Sequence, residues 1–167
     1  TEETIGRLLA GKENDRTGRG TDRLFGATTV NGNINYIPEI TRDITKRYFI
    51  KGRPGTGKST FLKKIASEAI RRGFDTEIYH CSSDPKSLDL VAVRELDFCL
   101  FDSTAPHVYY PSLPGDEIID IYEMCVTPGT DEKYAAELHA LQTAYQEMLM
   151  NAAVYLKNAE KAVRRYE

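Results

Sequence analysis

Short blocks of hydrophobic residues recur through the first hundred residues, and polar or glycine-rich stretches separate them. Four blocks have the length of buried strands: Tyr48–Ile50, Thr76–Cys81, Leu88–Val93 and Asp97–Phe101. Between the first two, apolar residues share one face of a helix that is predicted from Lys58 to Arg72. Buried strands that alternate with a helix predict an α/β domain with a mostly parallel sheet.

The residues before the first of these strands show three different patterns. Ile5, Leu8 and Leu9 share one face of a predicted helix within residues 1–10. Residues 11–23 contain no apolar residue, which predicts a linker or mobile loop. The Asn31-Gly32 pair then separates two short strand-like runs and predicts a β-hairpin, because both residues tolerate a positive φ angle.

The residues after the fourth strand predict a loop followed by helices. Residues 104–115 contain three prolines and are predicted to form a loop, after which Asp116 is expected to cap a helix. From residue 131 to 166 a single long helix is predicted. Along it, apolar or small residues recur in steps of four and three at Tyr134, Leu138, Leu141, Tyr145, Met148, Ala152, Tyr155, Ala159, Ala162 and Tyr166.

This ten-residue series, here called the seam, allows two interpretations. The seam packs against the domain's own helices, or its distal half docks against another helix. That helix would belong to the N-terminal segment of the chain, to a preceding domain or to a second copy.

The sequence predicts three regions: residues 1–22 are a helix and linker, residues 23–130 are the core, and residues 131–167 are the long helix.

Composition narrows the classes of protein that fit the chain. The 167 residues are 41% hydrophobic and 28% charged, with a net charge of −3, so one ordinary globular core is expected and a basic nucleic-acid surface is not. No apolar run approaches the ~18 residues of a membrane span. Three widely spaced cysteines, Cys81, Cys99 and Cys125, predict reduced thiols and a cytoplasmic location.

One sequence motif predicts a binding site for the phosphates of a nucleotide. Residues 52–59, GRPGTGKS, match the pattern G-x-x-x-x-G-K-[ST] between a predicted strand and a predicted helix. In this pattern the backbone N–H groups surround phosphate oxygens, the lysine reaches the β- and γ-phosphates, and the hydroxyl binds Mg²⁺. The predicted ligands are ATP and Mg²⁺. The nucleotide-binding residues are Gly52, Arg53, Pro54, Gly55, Thr56, Gly57, Lys58, Ser59 and Thr60.

Two aspartates are candidates for the chemistry around this loop. Asp102 ends the apolar run Phe98–Phe101 and is predicted to hold Mg²⁺ together with Ser59, with a strand-end turn as the alternative. Residue 103 is serine, where many ATPases of this class carry a water-activating glutamate. Asp84 follows the second strand and is a candidate base, and its alternative role is that of a turn residue before Pro85. Lys58, Asp102 and Asp84 are therefore the predicted catalytic residues.

Other polar residues have open roles. The loop after the fourth strand contains His107, Tyr109 and Tyr110. These residues could cover the nucleotide or a second substrate, and the alternative is that they face solvent. Arg53 either contacts the γ-phosphate or faces solvent.

Five stretches carry a more specific signal: LFGATTVNGNINYIPEI, RYFIKGRPGTGKSTFLKKIA, IYHCSSDPKSLDLV, FDSTAPH and PSLPGDEIIDIYE. Together they cover most of residues 23–125 and resemble a little-characterised family of bacterial and archaeal P-loop ATPases with two tandem P-loop halves. The chain is similar to the second half, which implies nucleotide binding at Gly52–Ser59. The resemblance also implies that residues 1–20 are the tail of a first half with its linker. The first methionine, Met124, agrees with a fragment or a processed chain.

The expected fold is a three-layer P-loop domain with an N-terminal hairpin and a long C-terminal helix. Three functions fit: a Mg²⁺-dependent ATPase in a larger assembly, a kinase that transfers the γ-phosphoryl group to a small acceptor, and a nucleotide sensor with negligible turnover. No N-K-x-D sequence is present, which favours ATP over GTP. The expected partners are a nucleotide and either a preceding P-loop half or a second copy.

Overall fold

A six-stranded sheet forms the centre of the protein in a computed structural model, which describes residues 2–105 and 108–166. Five strands are parallel to one another, and the strand Leu88–Val93 is antiparallel to them. Across the sheet the strands are β1 (Gly20–Leu24), β5 (Thr76–His80), β6 (Leu88–Val93), β7 (Phe98–Asp102), β4 (Lys46–Lys51) and β8 (Asp116–Asp120). The molecule is therefore an α/β domain with a mostly parallel sheet, as predicted.

Helices and one hairpin surround this sheet. The hairpin pairs β2 (Gly26–Thr29) with β3 (Gly32–Asn35), and Gly32 has the positive φ of 99° that its turn requires. The helices are α1 (Glu2–Leu9), α2 (Ile37–Ile40), α3 (Lys58–Arg71), α4 (Ile121–Cys125), α5 (Thr130–Lys133) and α6 (Ala135–Val163), with a 3-10 turn at Arg94–Leu96. The predicted hairpin and the helix after the glycine-rich loop are confirmed.

Two hydrophobic clusters lie on opposite faces of the sheet, because successive strand side chains point to opposite sides. Tyr48 and Ile50 of β4 join the cluster that contains α1 and α3, whereas Phe49 between them joins the cluster that contains α2. β6 is buried along its whole length, as a strand covered on both faces should be. This layering is compatible with a three-layer α/β fold.

The segment predicted to be a linker contains an edge strand. Gly20–Leu24 pairs in parallel with β5, and before it Asn14 and Gly18 donate backbone hydrogen bonds to the end of α3. Main-chain pairing holds β1, and its side chains are largely exposed, with Leu24 70% accessible. The linker prediction was wrong here because such a strand needs no apolar pattern. α1 also packs into the core through Leu8 and Leu9.

Asp116 begins a strand and does not cap a helix, so that prediction was also wrong. β8 pairs with β4, and the Asp116 carboxylate accepts hydrogen bonds from Arg47 Nε at 2.7 Å and from the N–H groups of Ser112 and Leu113. These bonds point back along the chain, whereas a cap accepts from residues that follow it. Asp120 is the cap instead, since its carboxylate accepts the Glu123 N–H and opens α4.

The long C-terminal helix is shorter than predicted and barely touches the core. Residues 131–166 divide at Tyr134 into α5 and the 29-residue α6, and no described residue of α6 is buried. Its seam positions Leu141, Met148 and Tyr155 are 68%, 70% and 75% exposed. Packing on the domain's own helices therefore does not cover the seam. No helix among the described residues has both the length and the apolar character needed to cross a bilayer.

The ion pair between Arg47 and Asp116 generates a prediction about acid stability. Hydrogen bonds from Arg47 hold the pKa of Asp116 at about 2, below its ordinary value of 3.8. A lowered pKa stabilises the fold above about pH 4, and this contribution is lost as the pH falls from about 4 to about 2. Asp116→Asn should therefore lower the free energy of unfolding by about 2 kcal/mol at neutral pH and flatten its acid dependence.

Urea unfolding at a series of pH values measures both effects. Glu117→Gln is the control, because the Glu117–Arg7 pair joins two side chains that are about half exposed, and its loss should cost less than about 1 kcal/mol. An unchanged acid dependence in Asp116→Asn would contradict the assigned role of the pair.

Candidate functional site

The glycine-rich segment forms a loop between β4 and α3. Gly57 immediately precedes α3 with a φ angle of 94°, a left-handed conformation that favours glycine. At Gly52, a Cβ atom would lie 2.6 Å from the Thr56 hydroxyl oxygen, so a side chain there would displace that hydroxyl. Within the part of the chain that the structure describes, no side chain caps the N-terminus of α3, and the N–H groups of its first turn face the loop's side of the helix.

Lys58 is the first residue of α3, and its side chain is only 9% exposed. Its ammonium donates to the backbone oxygens of Gly52 at 2.5 Å and Arg53 at 2.9 Å, and it lies 3.5 Å from Asp102 Oδ2. A buried ammonium is strongly disfavoured unless oxygen atoms replace its water shell. The folded loop therefore holds a positive charge at one fixed place.

Asp102 reaches the loop because of strand register. β4 and β7 are neighbouring parallel strands, and Ile50 lies opposite Asp102, so both strands end at the same edge of the sheet. The Asp102 Oδ1 atom accepts the Thr104 N–H at 2.9 Å, and the Thr104 hydroxyl donates to the Gly52 oxygen at 3.0 Å. These bonds fix the carboxylate and the first residue of the loop to one another.

A cavity of about 440 Å³ opens beside Lys58 and Asp102. Seven of the predicted residues line it: Pro54, Gly55, Gly57, Lys58, Ser59, Thr60 and Asp102. The structure therefore brings the lysine, the hydroxyl and the carboxylate to a single space.

Four predicted residues do not line the cavity. The Gly52 oxygen and Thr56 take part in hydrogen bonds that shape the loop. Arg53 turns away and pairs with Asp131, with its guanidinium carbon 4.9 Å from the centre of the Tyr122 ring. Asp84 is exposed on a turn, where its carboxylate accepts the Lys86 N–H at 3.0 Å.

The loop after β7 divides into parts with different surroundings. Thr104 and Ala105 line the cavity, whereas Tyr109 packs its ring near Phe101 and donates from its hydroxyl to Asn35. Tyr110 is 71% exposed. His107 lies outside the described residues.

Lys51 fastens this loop to the sheet. Its ammonium donates to the Tyr109 oxygen and to both oxygens of Ser103, at 2.7–2.9 Å. Burial lowers the pKa of Lys51 below its ordinary value. Ser103, which is 1% exposed, is thus a structural residue that holds the loop.

The sequence did not single out the far side of the cavity. Asp89, Cys81, Ser82, Ser83 and Ser87 line it, together with Asn33 of the hairpin and Tyr145 of α6. Asp89 is 7% exposed and interacts with the Cys81 thiol, whose pKa is raised mainly by burial. One signal was present in the sequence: Asp89 is the single charged residue in the otherwise apolar run Leu88–Val93.

The donor atoms around the cavity limit the kind of metal that fits. Among the described residues, no group of three or more histidine, cysteine, aspartate or glutamate side chains could hold a metal ion. Ser59 and Asp102 offer hard oxygen atoms in the same cavity, which suits Mg²⁺ because this ion keeps several waters and takes further oxygens from phosphates.

Comparisons of the chain with models of protein families, with curated proteins and with solved structures found no match in any of the three.

Ser59 generates a prediction that is independent of any ligand. Its hydroxyl oxygen accepts the backbone N–H of Leu88 at 2.9 Å, at the buried start of β6. Ser59→Ala should lower the free energy of unfolding by about 1–3 kcal/mol, because it leaves that N–H without an acceptor. Ser59→Thr keeps the hydroxyl and should preserve most of the stability.

Denaturant unfolding compares these two variants with Ser67→Ala, a control on the exposed side of α3 that should change stability by less than about 0.5 kcal/mol. Equal stability of the Ser59→Ala and Ser67→Ala variants would show that the hydroxyl does not anchor β6.

Proposed function

We propose that the chain is a P-loop protein that binds ATP with Mg²⁺ and hydrolyses it. The observation that carries this proposal is the position of Lys58. Its buried ammonium is fixed by two loop oxygens at the start of α3, 3.5 Å from Asp102, beside a cavity lined by Gly55, Gly57 and Ser59. The resemblance of residues 23–125 to P-loop ATPases favours the same assignment.

Phosphate binding would follow from the charges at this end of the cavity. The N-terminus of α3 has a partial positive charge that favours anions, and the ammonium of Lys58 adds a full charge next to it. The β- and γ-phosphate oxygens would take the place of loop carbonyls as acceptors for Lys58. Gly52 and Arg53 hold the ammonium at the start of α3, so that binding would exchange two carbonyl acceptors for phosphate oxygens.

Ser59 and Asp102 would hold Mg²⁺ in this proposal. Mg²⁺ bound to a triphosphate neutralises charge that develops on the phosphate oxygens during transfer. Asp102 is kept in place by the Thr104 N–H, and Ser59 by the Leu88 N–H. Each hydrogen bond uses part of the acceptor capacity of its oxygen-bearing group and leaves other lone pairs for a metal.

Four observations bear on the acceptor of the phosphoryl group and on the residue that would orient it. Ser103 is bonded to Lys51 and Tyr109 and cannot act as a base, and Asp84 lies on an exposed turn outside the cavity lining. Asp89 lines the cavity and is the better candidate to orient a nucleophile. The hydroxyl groups of Ser82, Ser83 and Ser87 near it also favour a second candidate function, a kinase with a small polar acceptor.

The affinity for ATP tests the role of Lys58. Lys58→Ala should weaken the binding of ATP·Mg²⁺ at least tenfold, about 1.4 kcal/mol, because it removes the fixed cation beside the phosphates. Lys64→Ala is the control, since Lys64 is an exposed lysine of the same helix. Calorimetry measures both constants, with circular dichroism to verify the fold. Equal affinities in the two folded variants would exclude the phosphate-binding role of the loop.

Transfer of a labelled γ-phosphoryl group distinguishes the three candidate functions. With γ-labelled ATP and a mixture of small metabolites, an ATPase releases labelled phosphate, a kinase labels a metabolite, and a nucleotide sensor transfers no label. Asp89→Asn should reduce transfer at least tenfold with little change in ATP affinity, because the amide keeps the shape and loses the charge. Asp84→Asn, the matched exposed control, should retain full transfer. Loss of transfer in Asp84→Asn together with full transfer in Asp89→Asn would assign the orientation of the nucleophile to Asp84.

A further inference from the structure

His80 lies at the end of β5, where the chain leaves the sheet in a turn that forms part of the cavity wall. Residues 82–87 are here called the serine turn, since three of them line the cavity: Ser82, Ser83 and Ser87. Backbone hydrogen bonds close this turn, from the Ser87 N–H to the Asp84 oxygen at 2.8 Å and from the Cys81 N–H to the Ser87 oxygen at 3.0 Å. The conformation of the serine turn therefore sets the shape of the far side of the cavity.

A β-bulge in β6 lies beside His80. His80 is opposite Leu88, whereas the preceding residue of β5 is opposite Leu90. Asp89, between them, is therefore the extra residue of the bulge. A bulge changes the direction of a side chain relative to the regular alternation of a strand, and Asp89 lines the cavity although it is only 7% exposed. The end of β5 thus pairs with the segment that carries Asp89.

The His80 ring has two close partners, and both are hydrogen-bond acceptors. Nδ1 lies 2.7 Å from the main-chain oxygen of Pro85 in the serine turn, and Nε2 lies 2.7 Å from Asp22 Oδ1 on the edge strand β1. A carbonyl and an ionised carboxylate can only accept, so both ring nitrogens must carry a proton. The charged imidazolium meets this requirement, whereas the neutral ring has one N–H and makes only one of the two bonds.

Loss of the ring proton would release the serine turn. A hydrogen bond to an ionised carboxylate is stronger than one to a carbonyl, so the remaining N–H would stay on Nε2, where it faces Asp22. Nδ1 would then direct its lone pair at the Pro85 oxygen, and this contact would become repulsive. The serine turn would keep its own backbone bonds but lose its attachment to the ring.

Charged groups near His80 come from β1, from α3 and from the serine turn. The pKa of His80 is raised above its ordinary value of 6.5, mainly by the hydrogen bond with Asp22, while burial and the charge of Lys63 on α3 oppose this shift. The serine turn adds Asp84 and Lys86, which have opposite signs. The ring therefore changes its charge above pH 6.5.

We propose that His80 is a pH-sensitive positioning residue for the cavity: its charged ring holds the serine turn to β1, and loss of the proton releases this wall. The effect reaches Asp89 through Cys81, which lies between His80 and the turn and whose thiol interacts with the Asp89 carboxylate. The attachment of the turn needs no ligand. Its effect on the reaction rests on the proposed function, in which Asp89 orients the nucleophile.

NMR titration of the ligand-free 167-residue chain tests the attachment. The pKa of His80 should lie above 6.5 and should fall toward 6.5 in Asp22→Asn, because the amide lacks the charge that favours imidazolium. Exchange of the Ser87 N–H, corrected for its intrinsic pH dependence, should quicken roughly two- to tenfold as His80 loses its proton, which corresponds to one lost hydrogen bond. Asp22 is 73% exposed, so its replacement leaves the fold intact.

Asp15→Asn is the control for this titration, because Asp15 is an exposed carboxylate of the same N-terminal segment, and the variant should behave like the wild type. An ordinary pKa for His80, or constant protection of Ser87 across its titration, would overturn the proposal.

The pH dependence of transfer from γ-labelled ATP tests the effect on the site. Transfer should decrease above the pKa of His80, and in Asp22→Asn this decrease should begin at lower pH, whereas Asp15→Asn should keep the wild-type profile. ATP affinity should stay constant over this range, because Lys58 and not the serine turn would hold the phosphates. Equal profiles for Asp22→Asn and Asp15→Asn would overturn the role of His80 in the reaction. Absence of ATP binding would instead contradict the proposed function, and the NMR titration alone would then decide whether His80 holds the turn.

Discussion

The parallel register between β4 and β7 is the constraint on which the site depends. It ends both strands at one edge of the sheet and sets Ile50 opposite Asp102, so that the glycine-rich loop and the carboxylate leave the sheet side by side. Lys58 is buried at that edge, and a buried ammonium requires nearby oxygens. If β7 moved by two residues, Asp102 would no longer lie beside the loop, and the lysine would keep only carbonyl dipoles. The geometry of the site is thus set by sheet pairing.

Local sequence patterns were sufficient to predict the secondary structure of the segments that surround the loop. The hairpin, β4, α3 and β7 each show a signal within a few residues: a turn pair, a buried run, or an amphipathic face that begins after glycine. The order of the strands across the sheet is not encoded in any such local pattern. β6 is antiparallel to its neighbours, yet a strand buried on both faces has the same apolar composition in either direction. For this reason the sequence could not predict which residues of β6 face the loop.

The wrong predictions have related physical causes. β1 is held by backbone hydrogen bonds at the edge of the sheet, and Asp116 is held by Arg47, a residue 69 positions away. Asp89 reaches the cavity through the pairing of β6 with its neighbours, so its place depends on tertiary contacts. In contrast, Gly57, Lys58 and Ser59 are consecutive, and their relative positions follow from one loop and the first turn of one helix. The sequence therefore predicted the relative positions of residues within one continuous segment, and Asp102 because it ends an apolar run, but it did not predict that Asp89 of β6 faces the same cavity.

Arg53 connects the loop to the two short helices that precede α6. It belongs to the glycine-rich loop, but its guanidinium lies over the Tyr122 ring of α4 and pairs with Asp131 of α5, four residues before α6 begins. The segment that leads into α6 is thereby held to the glycine-rich loop by an ion pair and a ring contact. Because α6 is about 43 Å long, a tilt of a few degrees at its start would displace its far end by several ångströms. Arg53 is thus a contact through which a change in the conformation of the loop would reach the start of α6.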